Sequence, residues 1–223
     1  MKFQHKLLAL TLSASLTLIG CTTIDPYTGE TKVKKTFIGG VFGAGAGAVI
    51  AMATGSKEDR VENAIKGGVI GGIAGGAVGA YMDSQEKKMT EKLAGTGVSV
   101  TRNGDDIILN MPGDITFASS ESKLNPAFTN TLDGVILVLE EFEKTIIMIK
   151  GHTDSKGDEQ YNQNLSEQRA LSVAQYLVDN RIITERVTAI GHGELSSKYD
   201  NTTEEGRAQN RRVELILTPL IKQ

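Results

Sequence analysis

Residues 146–178, IIMIKGHTDSKGDEQYNQNLSEQRALSVAQYLV, carry the pattern that decides the fold of this chain. Residues 146–149 form a short apolar run, which predicts a buried strand. Ser166 is a residue type that caps helices, and a set of apolar residues follows it at helical spacing. The members of this set are Ala170, Val173, Ala174, Leu177 and Val178. A buried strand followed by such a helix favours a sheet with parallel strand pairs and helices on one face.

The flanking sequence extends this alternation of strands and helices. Asn125-Pro126 resembles a helix start, because a capping residue is followed by proline at the first helical position. Apolar residues then recur with helical period over residues 128–142. Further strands are predicted at residues 98–100, 107–109, 187–190 and 213–217.

Two charged side chains are predicted to meet at one edge of this sheet. Asp154 comes just after the strand at 146–149, and Arg169 falls in the first turn of a helix that begins at Ser166. Strand ends and helix starts converge at the edge where such sheets bind ligands. Arg169, helped by the helix N-terminus, would bind a carboxylate, and Asp154 would accept hydrogen bonds from an ammonium group. A ligand with both groups on one carbon fits the pair, and a purely structural Asp154–Arg169 ion pair is the alternative.

Three separated motifs carry a resemblance to a known family. They are Gly151-His152-Thr153-Asp154-x-x-Gly157, Tyr161-Asn162-x-x-Leu165-Ser166-x-x-Arg169-Ala170 and Gly206-Arg207-x-x-Asn210-Arg211-Arg212-Val213-Glu214. In this order they resemble the OmpA-like peptidoglycan-binding domain, over roughly residues 100–220. The resemblance implies an α+β fold, with a mixed β-sheet and helices packed on one face. It also implies that the ligand is the diaminopimelate residue of the peptidoglycan stem peptide.

The same resemblance assigns further residues to the pocket. Thr153, Asn162, Leu165 and Arg211 match positions that line the family's pocket, beside Asp154 and Arg169. Of the two adjacent arginines, Arg211 is expected to face the pocket and Arg212 to face solvent.

An enzyme is the main competing class. His152 and His192 could join a carboxylate as metal ligands, which makes a metal-dependent cell-wall hydrolase an alternative. No serine stands in the glycine-flanked elbow of serine hydrolases, and the chain has one cysteine. The two histidines are therefore interpreted as packing residues, and no catalytic residue, metal or cofactor is predicted. The formal net charge of −3 gives no indication of nucleic-acid binding.

The N-terminus has the features of an export signal. Lys2 and Lys6 precede a short apolar run, and Leu18-Ile19-Gly20-Cys21 resembles the bacterial lipobox. Residues 1–20 are therefore interpreted as a lipoprotein signal peptide, with lipidation at Cys21, the chain's single cysteine. Thr22, rather than aspartate, follows Cys21 and favours the outer membrane.

Glycine dominates the segment between the anchor and the domain. Residues 21–36 are interpreted as a tether, residues 37–83 as a glycine-zipper hairpin of helices, residues 84–99 as a linker and residues 100–223 as the OmpA-like domain. Gly71, Gly75 and Gly79 are four residues apart, so they share one helix face on which another helix can pack closely. A flexible linker and a phosphate-binding loop are the alternatives for the hairpin.

These features together predict a non-catalytic outer-membrane lipoprotein. Its lipid anchor lies in the outer membrane, and its C-terminal domain in the periplasm binds diaminopimelate-containing peptidoglycan without a covalent bond. The alternative is a lipoprotein that oligomerises in the membrane through its glycine-zipper helices and uses wall binding only for localisation.

Overall fold

A computed structural model of the chain describes residues 23–24, 31–32, 51–52, 73, 75–118 and 120–221. The chain forms two compact units, Met1–Gly43 and Ala44–Gln223. In the first unit, strand β1 (Thr23–Ile24) pairs antiparallel with β2 (Thr31–Lys32). The signal peptide, Cys21 and most of the hairpin predicted at residues 37–83 lie outside the described residues.

A mixed six-stranded sheet forms the centre of the second unit, in the order β3-β7-β6-β8-β5-β4. Its strands are β3 (Ala51–Met52), β4 (Ser99–Asn103), β5 (Asp106–Pro112), β6 (Thr145–His152), β7 (Val187–Gly191) and β8 (Arg212–Pro219). Strands β3, β7 and β6 are parallel to one another, and β8 runs antiparallel to both β6 and β5. The predicted parallel pair and mixed sheet are confirmed.

Five α-helices accompany the sheet in the described part of the chain. They are α1 (Val78–Leu93), α2 (Gly113–Thr116), α3 (Pro126–Glu141), α4 (Glu159–Asp179) and α5 (Glu204–Asn210). The start of α3 is as predicted, because the Asn125 side chain accepts a hydrogen bond from the Ala127 N–H and Pro126 is the first helical residue. No helix among the described residues is long and apolar enough to cross a membrane.

Successive side chains along each strand point to opposite faces of the sheet, and helices cover one of these faces. Ile147 and Ile149 of β6 lie with Leu215 and Leu217 of β8 in one hydrophobic core. Every buried apolar side chain of the five helices belongs to this same core. Helices α1, α3 and α4, which supply these side chains, therefore pack on one face, as predicted.

Helix α1 occupies much of the segment that the sequence pattern assigns to a linker at residues 84–99. Its Met82 and Met89 are fully buried in the core, and the Tyr81 hydroxyl accepts a hydrogen bond from the Lys144 N–H at 2.9 Å. Tyr81 also packs edge-on against Phe142, with ring centroids 5.2 Å apart. The helix is thus part of the folded domain rather than a spacer before it.

Helix α4 begins earlier than the sequence pattern indicates. Its N-cap is Asp158, whose carboxylate accepts from the N–H groups of Gln160 and Tyr161. Ser166, the predicted cap, lies inside the helix and donates its hydroxyl to the Gln163 carbonyl. Serine inside a helix often bonds back to a preceding carbonyl in this way, so a capping residue type alone did not locate the start.

The backbone of α4 lies directly against the ends of β6 and β7. A Cβ at Gly151 would stand 1.9 Å from the Ser166 carbonyl oxygen, and one at Gly191 would stand 2.5 Å from the Glu167 nitrogen. The Ser166 hydroxyl also accepts the Gly193 N–H at 2.8 Å. These glycines set the distance between the helix and the strand ends.

We expect Gly151→Ala to lower the free energy of unfolding by about 3 kcal/mol or more, because its methyl group would meet backbone that cannot yield. Gly134→Ala is the matched control, since a Cβ there meets nothing within 4 Å. It should raise stability by about 0.5–1 kcal/mol, the usual gain of alanine over glycine inside a helix. Urea unfolding of both variants measures the difference, and equal stability of the two would contradict the close approach.

A second expectation concerns helix α1. Met89→Ala should cost about 2–5 kcal/mol, because a fully buried side chain is truncated. The exposed Glu91→Ala, in the same helix, should change stability by no more than about 0.5 kcal/mol. Thermal unfolding checks this, and a neutral Met89→Ala would restore the linker interpretation.

Candidate ligand-binding site

A cavity of about 520 Å³ lies beyond the carboxyl end of β6, between α4, α5 and the segment around α2. All six residues that the sequence assigns to a pocket line this one cavity. They are Thr153, Asp154, Asn162, Leu165, Arg169 and Arg211. The structure therefore gathers residues from three separated motifs.

Asp154 follows the end of β6 by two residues and is 7% exposed. Its Oδ1 accepts the Lys156 N–H at 3.0 Å, which shapes the turn after the strand. Its Oδ2 accepts a hydrogen bond from Arg211 Nη1 at 2.8 Å. The Asp154 carboxylate thus already has a cationic partner, and this partner is Arg211 rather than Arg169.

Arg211 bridges three carboxylates. Besides Asp154, its guanidinium reaches Asp114 at 3.4 Å and Glu204 at 3.2 Å. Burial alone would lower the pKa of Arg211, but the hydrogen bonds to Asp154 and Asp114 raise it above its ordinary value. Glu204 lies on the outside and its pKa falls to about 2, because Arg207, Lys156 and Arg211 donate to it. Arg211 is therefore a fixed part of the cavity wall.

Arg169 stands in a different environment. It is 5% exposed, its Nε donates to the Glu121 carbonyl at 2.9 Å, and its guanidinium lies 5.2 Å from the centre of the Phe117 ring. Among the described residues, nothing accepts a hydrogen bond from its two terminal nitrogens. Burial lowers the pKa of Arg169 below its ordinary value. The cavity thus contains a buried cation with donors to spare.

The position of Arg169 differs from the sequence expectation. It lies in the middle of α4, because the helix begins at Glu159, so the free N–H groups of the helix start are far from it. The dipole effect of a helix falls off within the first turn, and it gives no support to anion binding at Arg169. Any carboxylate there would depend on the guanidinium itself.

Asn162 holds the loop that carries Asp154. Its Nδ2 lies 3.3 Å from the Asp154 carbonyl, 3.0 Å from the Lys156 carbonyl and 2.6 Å from Glu194 Oε2. Asn162 is 2% exposed, so this amide ties the strand end to the loop after β7. Its geometry is that of a positioning residue.

The other predicted residues complete the wall. The Thr153 N–H donates to the Gly193 carbonyl at 3.0 Å, while its buried hydroxyl oxygen has no hydrogen-bond partner among the described residues. Leu165 is half-buried and supplies an apolar surface. It also lines an adjoining hollow of about 510 Å³, which shares Ser120 and Tyr161 with the cavity.

Sequence reasoning missed five charged or aromatic residues that also line the cavity. They are Asp114, Phe117, Lys156, Tyr161 and Glu204. Tyr161 stood within a quoted motif and Glu204 precedes another by two residues, so their proximity could have been inferred. Asp114 and Phe117 reach the cavity only through the pairing of β5 with β8, which no local pattern indicates.

The expectation that Arg212 faces solvent is wrong. Arg212 is 2% exposed, and its Nε donates to Glu214 Oε1 at 2.7 Å. The same carboxylate oxygen accepts from Lys198 Nζ at 2.7 Å. Arg211 follows the last residue of α5 and Arg212 is the first residue of β8, so one arginine reaches the cavity and the other this buried ion pair.

The two histidines stack on one another at the ends of β6 and β7. The rings of His152 and His192 are 5.2 Å apart and inclined by 9°. His152 is 3% exposed, and burial, with the nearby Arg212, lowers its pKa to about 3. Among the described residues, no group of three or more His, Cys, Asp or Glu side chains could hold a metal ion. The stacked geometry is that of packing residues.

Comparison with known proteins identifies the family of the chain. Residues 116–211 match the model of the OmpA family, and residues 1–83 match that of the YMGG-like Gly-zipper. The chain is 48% identical over 220 residues to the probable lipoprotein YiaD of Escherichia coli (strain K12), covering 99% of this chain and 100% of YiaD. The chain belongs to the OmpA family.

Two further proteins are similar to about half of this chain or somewhat more. The peptidoglycan-binding protein ArfA of Mycobacterium bovis is 37% identical over 105 residues, which cover 47% of this chain and 32% of ArfA. The structure of the cell wall anchor of the T6SS from Pseudomonas aeruginosa matches with a TM-score of 0.55 at 29% identity. That match covers 59% of this chain and 96% of the anchor.

The histidine pair generates a pH-dependent expectation. His152 has an ordinary pKa of about 6.5 when unfolded and a pKa of about 3 in the folded domain. Between these values the unfolded chain binds more protons, so stability is full above about pH 6.5 and falls as the pH drops towards 3. At pH 5 the loss should be roughly 2 kcal/mol relative to pH 7.

Urea unfolding at pH 7 and pH 5 measures this loss. His152→Phe keeps an aromatic ring against His192 but cannot bind a proton, so its stability should change much less between the two values. An equal loss in the wild type and in His152→Phe would assign the acid sensitivity to other groups.

Proposed function

We propose that this member of the OmpA family anchors the outer membrane to the cell wall by binding diaminopimelate in the cavity at the end of β6. The observation that carries the proposal is the unused donor capacity of Arg169. Its terminal nitrogens have no acceptor among the described residues, and it lines the same cavity as Asp154. A carboxylate is the strongest partner that these unused guanidinium donors can take.

The far end of diaminopimelate carries an ammonium and a carboxylate on one carbon. The carboxylate would accept two parallel hydrogen bonds from Arg169, which is the strong geometry for this pair. The ammonium would donate to Asp154, whose carboxylate is held in place by Arg211 and the Lys156 N–H. Three cations and three carboxylates line the cavity, so the formal charges of its lining cancel. A zwitterionic group keeps this balance, because it carries no net charge itself.

The remaining residues have supporting roles in this proposal. Asn162 fixes the loop of Asp154, and Thr153 offers a hydroxyl group without a partner among the described residues. Leu165 would contact the methylene chain of diaminopimelate. The adjoining hollow at Tyr161 and Ser120 has room for the neighbouring part of the stem peptide.

The names of two similar proteins support the cell wall as the partner. ArfA is called a peptidoglycan-binding protein, and the Pseudomonas aeruginosa structure is called a cell wall anchor. We assign no catalytic step to the site, because neither histidine lines the cavity and the two rings stack on one another.

The anchor at the other end of the tether would be a lipid on Cys21, with the domain in the periplasm. The name of YiaD as a probable lipoprotein and the Gly-zipper match over residues 1–83 support this arrangement. More than one acyl chain is needed for stable anchoring, and bacterial lipoproteins carry two or three. The glycine-zipper segment could add contacts between copies in the membrane.

We expect Arg169→Ala and Asp154→Ala each to weaken binding to diaminopimelate-type cell wall. Removing one side of a desolvated charge pair costs roughly 2–5 kcal/mol, and the low end corresponds to about a thirtyfold loss. The two losses should not add fully, because both side chains hold one ligand residue. Arg102→Ala, an arginine outside the cavity, is the control and should bind like the wild type.

Sedimentation with purified sacculi measures this binding. Wall that has lysine in place of diaminopimelate lacks the carboxylate for Arg169, so the wild-type domain should bind it weakly. Equal binding to the two walls, or wild-type binding by Arg169→Ala, would overturn the ligand assignment.

A separate expectation concerns the anchor. Metabolic labelling with a palmitate analogue should mark the wild-type protein, and Cys21→Ser should lose the label and leave the membrane fraction. Since the chain has one cysteine, label that persists in Cys21→Ser would show that the lipobox was misinterpreted.

A further inference from the structure

The sheet has a second buried apolar surface, opposite the face that the helices cover. Ile146, Met148 and Ile216 are only 4%, 5% and 9% exposed, yet they lie outside the core to which all the buried apolar side chains of the helices belong. They alternate with the core residues Ile147, Ile149, Leu215 and Leu217 and so point to the other face. We call these three residues, with Thr188 and Thr218, the back strip.

The back strip is continuous across three strands. Met148 pairs with Thr188 of β7 on one side and with Ile216 of β8 on the other, and Ile146 pairs with Thr218. The loop after β7 covers only one end of this face, where Lys198 binds Glu214 and the Ser196 carbonyl accepts from Arg212. No described helix contributes a buried apolar side chain to the strip.

Two fixed points of the chain flank the back strip. Met52 of β3 pairs with Ala189 at the outer edge of β7. Ile73 pairs with Ile221 just beyond β8, and its N–H donates to the Leu220 carbonyl. Residues 53–72 must connect these points, a passage across three strand spacings or about 14 Å. The helices already occupy the other face, so the back face is open to this connection.

The sequence of the connection suits this surface. Val61, Ile65 and Val69 are four residues apart and would share one face of a helix. Glycines at 67, 68, 71 and 72 allow a close approach to the strands. Residues 56–60, with four charged side chains, would remain in water.

We propose that the back strip is a docking surface for residues 53–72 of the same chain. Residues 53–72, which would otherwise insert into the membrane, then bury their apolar side chains on their own domain in water. Because the same apolar side chains cannot lie on the sheet and in lipid at once, the docked state and the membrane-packed state exclude each other. This inference is independent of which ligand occupies the cavity.

Cysteine accessibility in the mature chain tests the docking. Cys21→Ser removes the single native thiol, and Thr188→Cys or Met148→Cys then places one thiol on the back strip. In detergent-free buffer a maleimide should label either position at least tenfold more slowly than Leu137→Cys, a position 55% exposed on α3. Adding detergent micelles should accelerate labelling of the back strip and leave Leu137→Cys unchanged.

A matched pair of segment variants identifies the occupant. Val61→Asp, Ile65→Asp and Val69→Asp together should raise labelling at Met148→Cys to within a few-fold of Leu137→Cys. Ser56→Asp, Asn63→Asp and Lys66→Asp introduce as many aspartates at polar positions and should leave it slow. Circular dichroism of both triple variants reports whether the domain stays folded.

An engineered disulfide separates the chain's own segment from a second copy. Ile65→Cys with Met148→Cys should oxidise to a cross-linked monomer. Fast labelling of the back strip in buffer would overturn the proposal, and so would slow labelling that the apolar triple variant does not change. Cross-linked dimers with concentration-dependent labelling would assign the surface to another copy and overturn it too.

Discussion

The contact between the backbone of α4 and the ends of β6 and β7 is the constraint on which the binding site depends. Gly151 and Gly191 bring the helix so close that no Cβ fits between them. Ser166 lies at this contact, with Asn162 one turn before it and Arg169 one turn after it on the same helix face. Asn162 therefore reaches the loop of Asp154, and Arg169 reaches the cavity. Moving the helix outward by one methyl group would separate both from the strand ends.

The two arginines of the cavity, Arg211 and Arg169, have different electrostatic roles. Arg211 is bound by three carboxylates, so it neutralises and orients Asp154 and has little capacity left for a ligand. Arg169 uses only its Nε, towards the Glu121 carbonyl, and its terminal nitrogens remain. A site with one saturated and one unsaturated arginine would direct a carboxylate to one defined place, beside Arg169. Replacing either by lysine would remove the planar set of donors on which this depends.

The sequence predicted the elements and the membership of the site better than its internal contacts. Strands and the start of α3 followed from apolar periodicity and capping, Asp154 and Arg169 from their places at the strand end and on the helix, and the other four cavity residues from the family resemblance. The start of α4 did not, because Ser166 has a capping side chain that the helix uses for a contact with Gly193 instead. The partner of Asp154 was also missed, since Arg211 approaches it from the junction of α5 and β8, 57 residues further along the chain. Local patterns give periodicity and caps, whereas ion-pair choice depends on the register between strands.

Helix α1 is a second case in which a local sequence pattern did not predict a tertiary contact. Its buried residues Met82, Met89 and Leu93 have roughly helical spacing, but charged residues between them give the segment the composition of a linker. Only the groove between α3 and the edge of the sheet decides that this helix packs. The sequence contains the apolar face of α1, but it does not show the surface of the domain against which that face packs.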